Sequence, residues 1–183
     1  METVKHSLAA WLVFATGVAL DQLSKQWAHT QLRVRGIAQV IPNVLDLRYA
    51  RNPGAFFSLG AGLPAELRRV VLSAAGAIVL GAIAALYART RAGQGRLRWA
   101  LVLLSSGALG NLIDRLRSGD VIDFVHLQFG PLLRWATFNV ADVLITAGLC
   151  LLCLDLIRPQ AALEGKRPGG VVQPAAGDRG ANI

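Results

Sequence analysis

Residues Gly110 to Asp142 read GNLIDRLRSGDVIDFVHLQFGPLLRWATFNVAD. The segment holds Asp114, Asp120, Asp123 and Asp142, together with Asn111, Asn139 and three arginines, and hydrophobic runs lie close on either side. The chain around it is 54% hydrophobic and 16% charged, with a mean hydropathy of +0.46, beyond the usual range for a soluble domain of 183 residues. Its charges cluster between uncharged runs rather than alternating with them. That is the pattern of a chain crossing a membrane several times.

A helix needs about 20 mostly apolar residues to cross hydrocarbon. Four candidate spans fit, at about residues 7–27, 69–88, 98–114 and 136–157. The fold class expected is an all-α membrane protein, a four-transmembrane-helix bundle with a small extracytoplasmic β element on its outer face. Residues 1–158 would form this domain, with an outer loop at about 28–67, and 159–183 a disordered cytoplasmic tail rich in Gly, Pro and Ala. The β element is read from IAQVIPNVLDLRYARN (Ile37–Asn52), which alternates and carries the turn signal Pro42-Asn43. The second outer segment, Leu116 to Arg134, is read as a cap over the same surface. The link ARTRAGQGRLR (Ala88–Arg98) carries four arginines, a cytoplasmic marker that puts both termini on the same side. The first run also fits a cleaved signal peptide with Lys5 as its basic flank. A retained helix is preferred, because a multi-span remainder needs no separate secretion signal.

Several chemistries drop out. The net charge of +8 is spread around the apolar runs, without the basic stripe and interleaved aromatics that nucleic acid requires. Cys150 and Cys153 form C-x-x-C inside an apolar run, where a buried helix face is expected rather than a redox motif. His6, His29 and His126 are scattered and no H-E-x-x-H occurs, so neither a metal nor a cofactor is expected. Ser24 and Lys25 are adjacent, and adjacent helical residues point about 100° apart. Ser58, Ser73, Ser105 and Ser106 have no evident activating base.

Carboxylates remain. A charge inside the bilayer is costly and normally faces the bundle interior. Asp21 and Lys25 are spaced i, i+4. Asn111 and Asp114 are spaced i, i+3 with Arg115 adjacent, and Asn139 and Asp142 repeat that spacing. With Asp123, these groups gather at one depth, near the outer boundary. Asp21–Lys25 and Asp114–Arg115 read as structural ion pairs, Asp46 and Asp120 as solvated loop residues, and Asp155 as an interfacial charge near Arg158. Asp123 and Asp142 lack an adjacent cation. Two close carboxyl groups share a proton, so that one activates water while the other polarises an amide carbonyl. An ion-coupled carrier and a helix scaffold are the rival readings, and the carrier needs acids nearer mid-membrane.

Five blocks now carry a resemblance: DQLSK (Asp21–Lys25), NPGAFFSLG (Asn52–Gly60), GALGNLIDR (Gly107–Arg115), GDVIDF (Gly119–Phe124) and FNVAD (Phe138–Asp142). In this order the sequence resembles bacterial lipoprotein signal peptidase, signal peptidase II. The resemblance implies an intramembrane aspartic endopeptidase of the bacterial inner membrane, working near the outer leaflet without a cofactor. Its substrates would be prolipoproteins carrying diacylglyceryl-cysteine, cleaved just before that cysteine. The catalytic pair implied is Asp123 and Asp142, supported by Asp21, Lys25, Asn52, Gly107, Asn111, Asp114, Arg115 and Asn139. Partners beyond substrate would be membrane lipids. A monomer is expected, since one chain carries the whole site. Phe56 departs from the family pattern, where a second alanine is common.

Overall fold

The structure, a computed structural model, describes residues 2–54, 64–91, 93–129, 133–134 and 137–157. Phe56, Ser58 and the expected tail at 159–183 lie outside the described residues.

Four long helices carry the chain: α1 (Glu2–Trp27), α3 (Ala65–Ala88), α4 (Gly95–Ser118) and α5 (Val140–Leu156). After α1 the chain keeps coiling through a π-helical turn (Ala28–Leu32) and the short α2 (Arg33–Arg35), where a loop was expected. The hairpin follows as β1 (Ala38–Ile41) and β2 (Leu45–Asn52), and its turn puts Asn43 at φ 60°, a left-handed conformation that asparagine tolerates. The segment read as a capping loop is instead β3 (Val121–Phe129) and the short β4 (Leu133–Arg134), and the antiparallel sheet has the order β1-β2-β3-β4. The β element is therefore larger than the sequence hairpin. β2 and β3 come from segments far apart in the chain, so neither shows its partner locally.

α4 is the central helix and packs against α1, α3 and α5. Small residues set its close approaches. A Cβ on Gly107 would run into the Ala141 carbonyl oxygen, and one on Gly110 into the Asp21 carboxylate. Ser106 donates to the Phe14 carbonyl at 3.1 Å and Gly17 lies against its hydroxyl, which seats α1 on α4. α4 ends at Gly119 (φ 82°), whose N–H bonds the Arg115 carbonyl; this left-handed residue turns the chain into β3. Beneath the sheet, Ala28, Leu32 and Phe124 form a core joined by Leu47, Tyr49, Val125 and Val140.

Polarity is inverted relative to a soluble domain. Asp21 and Asn139 are fully buried and Lys25 is 2% exposed, whereas Trp11 is 66% and Ile78 72% exposed. Ala65–Ala88 is long and apolar enough to cross a membrane on its own, the one such helix among the described residues. α5, with 17 residues, is shorter than the span expected at 136–157. Cys150 and Cys153 lie on its outward, exposed face, not the buried one expected, because Gly148 turns toward Leu104 and Ala100 of α4.

Candidate active site

The C-terminal ends of α1 and α4, the start of α5, and strands β2 and β3 meet in one polar cluster. It begins with local rules. Asn139 caps α5: its side chain accepts from the Asp142 N–H at 3.0 Å, and the Asp142 carboxylate accepts from the Asn139 N–H at 3.2 Å. Asn139 and Asp142 thus form a capping box, not two positions on one face inside a longer helix. Asp21 of α1 accepts from the Ala141 N–H at 2.8 Å, bringing a negative charge to the helix N-terminus.

Lys25 is the hub below. Its ammonium lies 2.9 Å from Asp21, 3.0 Å from Asp114 and 2.9 Å from Asn111 Oδ1. Three donors thus meet three acceptors, and one cation sits between two carboxylates. The ion pair expected between Asp114 and Arg115 is therefore replaced: adjacent helical residues diverge, while Lys25 reaches Asp114 across the α1–α4 interface. Asp114 also accepts from the Ile122 N–H at 3.1 Å, tying α4 to β3.

Asn111 and Asn139 connect this hub to the two aspartates. Asn111 Nδ2 donates to Asp142 Oδ1 at 2.9 Å, while its Oδ1 accepts from Asn139 Nδ2 at 3.2 Å as well as from Lys25. Asn139 Nδ2 also donates to Asp123 Oδ1 at 2.6 Å, and Asn52 Nδ2 donates to Asp123 Oδ2 at 3.0 Å. Each amide nitrogen in this chain donates and each amide oxygen accepts, which leaves little freedom to flip. The result holds Asp123 and Asp142 beside one another, with Asn139 touching both.

Their surroundings differ. Burial pushes the Asp123 carboxyl up to about 6, and the Asp142 charge adds to that; the amide donors of Asn52 and Asn139 and the Lys25 charge oppose it. The charges of Asp142, Asp123 and Asp114 all act on Arg115, whose buried Nε has no hydrogen-bond partner among the described residues.

All ten sequence-selected residues lie in or against this cluster, Gly107 as the contact that seats α5. Sequence reasoning missed Gln22. Its amide donates to Asp21 at 3.2 Å, to the Gly110 carbonyl at 3.1 Å and to Asp114 at 3.3 Å. Its place beside Asp21 was the available signal. Two acids read as solvated are not. Asp46 is buried on β2 and bonds Arg48 at 3.0 Å, because pairing with β3 covers it. Asp120 is ion-paired to Arg51 at 2.9 Å.

The model of the family described as signal peptidase (SPase) II matches residues 13–158. The chain belongs to the signal peptidase II family. Among relatives, the lipoprotein signal peptidase of Moorella thermoacetica is 40% identical over 153 residues, covering 82% of this chain and 93% of its own. That of Geobacter metallireducens is 36% identical over 149 residues, covering 81% and 90%. Among solved structures, a bacterial membrane enzyme determined by the in meso method at 2.3 Å superposes with a TM-score of 0.72 at 27% identity, over 89% of this chain and 94% of that one. As a signal peptidase II the protein is a protease, and with such a neighbour and its inverted polarity it is a membrane protein.

Proposed function

We propose that the protein is an intramembrane aspartic endopeptidase that removes signal peptides from diacylglyceryl-modified prolipoproteins, cutting just before the lipidated cysteine. Asp123 and Asp142 are the catalytic residues, and water is the nucleophile. The observation that carries this reading is the shared bridge: Asn139 donates to both carboxylates, from its side-chain amide to Asp123 and from its backbone N–H to Asp142. In the working state Asp142 is ionised and takes a proton from water. Asp123 holds the site's proton and presents it to the scissile carbonyl as the tetrahedral oxyanion forms. The elevated proton affinity of Asp123 supports that division of labour. Collapse of the intermediate returns a proton to the leaving amine, and no covalent adduct with the enzyme is formed.

Lys25, Asp21, Asp114 and Asn111 hold the frame, and Asn52 positions Asp123 from the sheet. Four helices span the bacterial inner membrane with both termini cytoplasmic, which puts the cluster near the outer leaflet. A lipid-anchored substrate then meets the acids without carrying its acyl chains into water. One chain suffices as a monomer, with prolipoproteins and membrane lipids as its partners.

The test is cleavage of a diacylglyceryl-modified lipobox peptide by purified protein in lipid. Asp123→Asn and Asp142→Asn should each lower turnover by on the order of 10³-fold while both variants stay folded and inserted. Near-normal turnover in either would remove the dyad.

A further inference from the structure

A cavity of about 300 Å³ lies beside the cluster but is not lined by either catalytic aspartate. Its wall runs along α1 and the π-helical turn, then across β2, β3 and the outer end of α4. Strand alternation separates the two sites: Ile122 faces the cavity, and Asp123, the next residue on β3, faces the catalytic cluster.

The wall is strongly cationic. Lys25, Arg33, Arg51 and Arg117 contribute to it, with His29, against the single carboxylate of Asp114. Asp114 is already held by Lys25 at 3.0 Å, and Arg51 pairs with Asp120 at 2.9 Å. Arg33 and Arg117 have no acidic partner among the described residues. Arg33 contacts the His29 ring at 3.2 Å and Arg117 donates to Gln22 at 2.9 Å. Two exposed guanidinium groups therefore flank a concave site with positive charge to spare.

The surface next to it is apolar. Gln22, Gln26, His29 and Arg33 form the cavity stripe of the coil. The neighbouring stripe is Leu20, Leu23, Trp27 and Val34, all exposed, Val34 to 83%. A ligand with an anionic head and an apolar body fits both surfaces at once. Arginine pairs are suited to phosphate oxygens, and tryptophan to the headgroup boundary.

We propose that this cavity binds the phosphate diester headgroup of an anionic phospholipid, with Arg33 and Arg117 as its clamp and the Leu20–Trp27–Val34 stripe against the acyl chains. The net positive wall selects phosphatidylglycerol over phosphatidylcholine, whose choline cation would meet guanidinium groups.

The test is lipid retention, measured by native mass spectrometry on the full chain released from micelles doped with phosphatidylglycerol or phosphatidylcholine. The intact protein should keep phosphatidylglycerol at least fivefold better than phosphatidylcholine. Arg33→Gln with Arg117→Gln should abolish that preference; should the double variant not fold, Arg33→Gln alone, on the exposed rim, should reduce it. Arg35→Gln, which removes a nearby arginine outside the cavity, should leave it intact. Equal loss in Arg35→Gln would reduce the effect to general surface charge and overturn the site, as would equal retention of both lipids. Inorganic phosphate is run in parallel: stabilisation by phosphate that depends on Arg33 and Arg117, without retention of phosphatidylglycerol, would overturn the lipid assignment. The readout needs no proteolysis, so it is independent of the peptidase reading.

Discussion

Asp123 is the residue whose chemistry is most exposed to experiment, because its burial raises its carboxyl from 3.8 to about 6. The sign of the linkage follows. The folded protein binds this proton more tightly than the unfolded chain, so the stabilising contribution is present at low pH and disappears as pH climbs between the two values. Above pH 6 the ionised, buried carboxylate weighs against folding by about 3 kcal/mol. The thermal midpoint of the wild type should therefore fall relative to that of Asp123→Asn between about pH 4 and pH 7; parallel curves would contradict a buried, raised carboxyl. The same group sets the alkaline limb of kcat/KM near pH 6, since the proposed working form needs the Asp123 proton. Asp123 and Asp142 were singled out in the sequence by the lack of an adjacent cation and by the family resemblance, and the structure brings both to Asn139. The true partner of Asp114 was not, because Lys25 becomes its neighbour only once α1 and α4 pack.

At the scale of elements, the approach of α5 to α4 at Gly107 sets the cluster geometry. A methyl group there would meet the Ala141 carbonyl and approach Ile145 Cγ1 at 2.8 Å, so α5 must move away. That motion carries Asn139 and Asp142, at its first turn, away from Asn111. Gly107→Ala should lower turnover at least tenfold and lower the melting temperature. Gly81, in the middle of α3, has open space where its Cβ would stand. Gly81→Ala should stabilise by about 0.5–1 kcal/mol, the helix-propensity difference, and leave turnover unchanged. Equal behaviour of the two variants would show that close packing at Gly107 is not what positions the acids. Helices were legible from apolar run length, and the β1–β2 hairpin from alternation and Pro42-Asn43. β3 was not: GDVIDFVHLQF mixes apolar and polar residues too closely for either period to stand out, and its strand form depends on pairing with β2. The burial of Asp46 was hidden for the same reason.

At the scale of the whole molecule, the issue is which surface meets lipid. Run length pointed to four spans, yet among the described residues α3 alone satisfies the length and hydropathy demand unaided. α1 and α4 carry the buried charges of the site at their C-terminal ends, and α5 begins only after Asn139 has capped it. Their membrane character lies instead in their outward faces, where Leu8, Trp11, Leu149 and Leu154 are exposed. The two thiols on α5 provide the test. Cys150 and Cys153 are free and point outward, so in water they would react readily with a charged maleimide. If the bundle spans the bilayer, those positions lie against acyl chains, where a charged reagent is not stable. Protein in lipid nanodiscs should therefore resist the charged maleimide and become labelled at both sites once dissolved in dodecyl sulfate. A small uncharged maleimide that partitions into lipid should reach both thiols in nanodiscs, which separates lipid shielding from burial within the protein. Rapid labelling by the charged reagent in nanodiscs would put the outer face of α5 in water, and the four-span arrangement would fail at that helix.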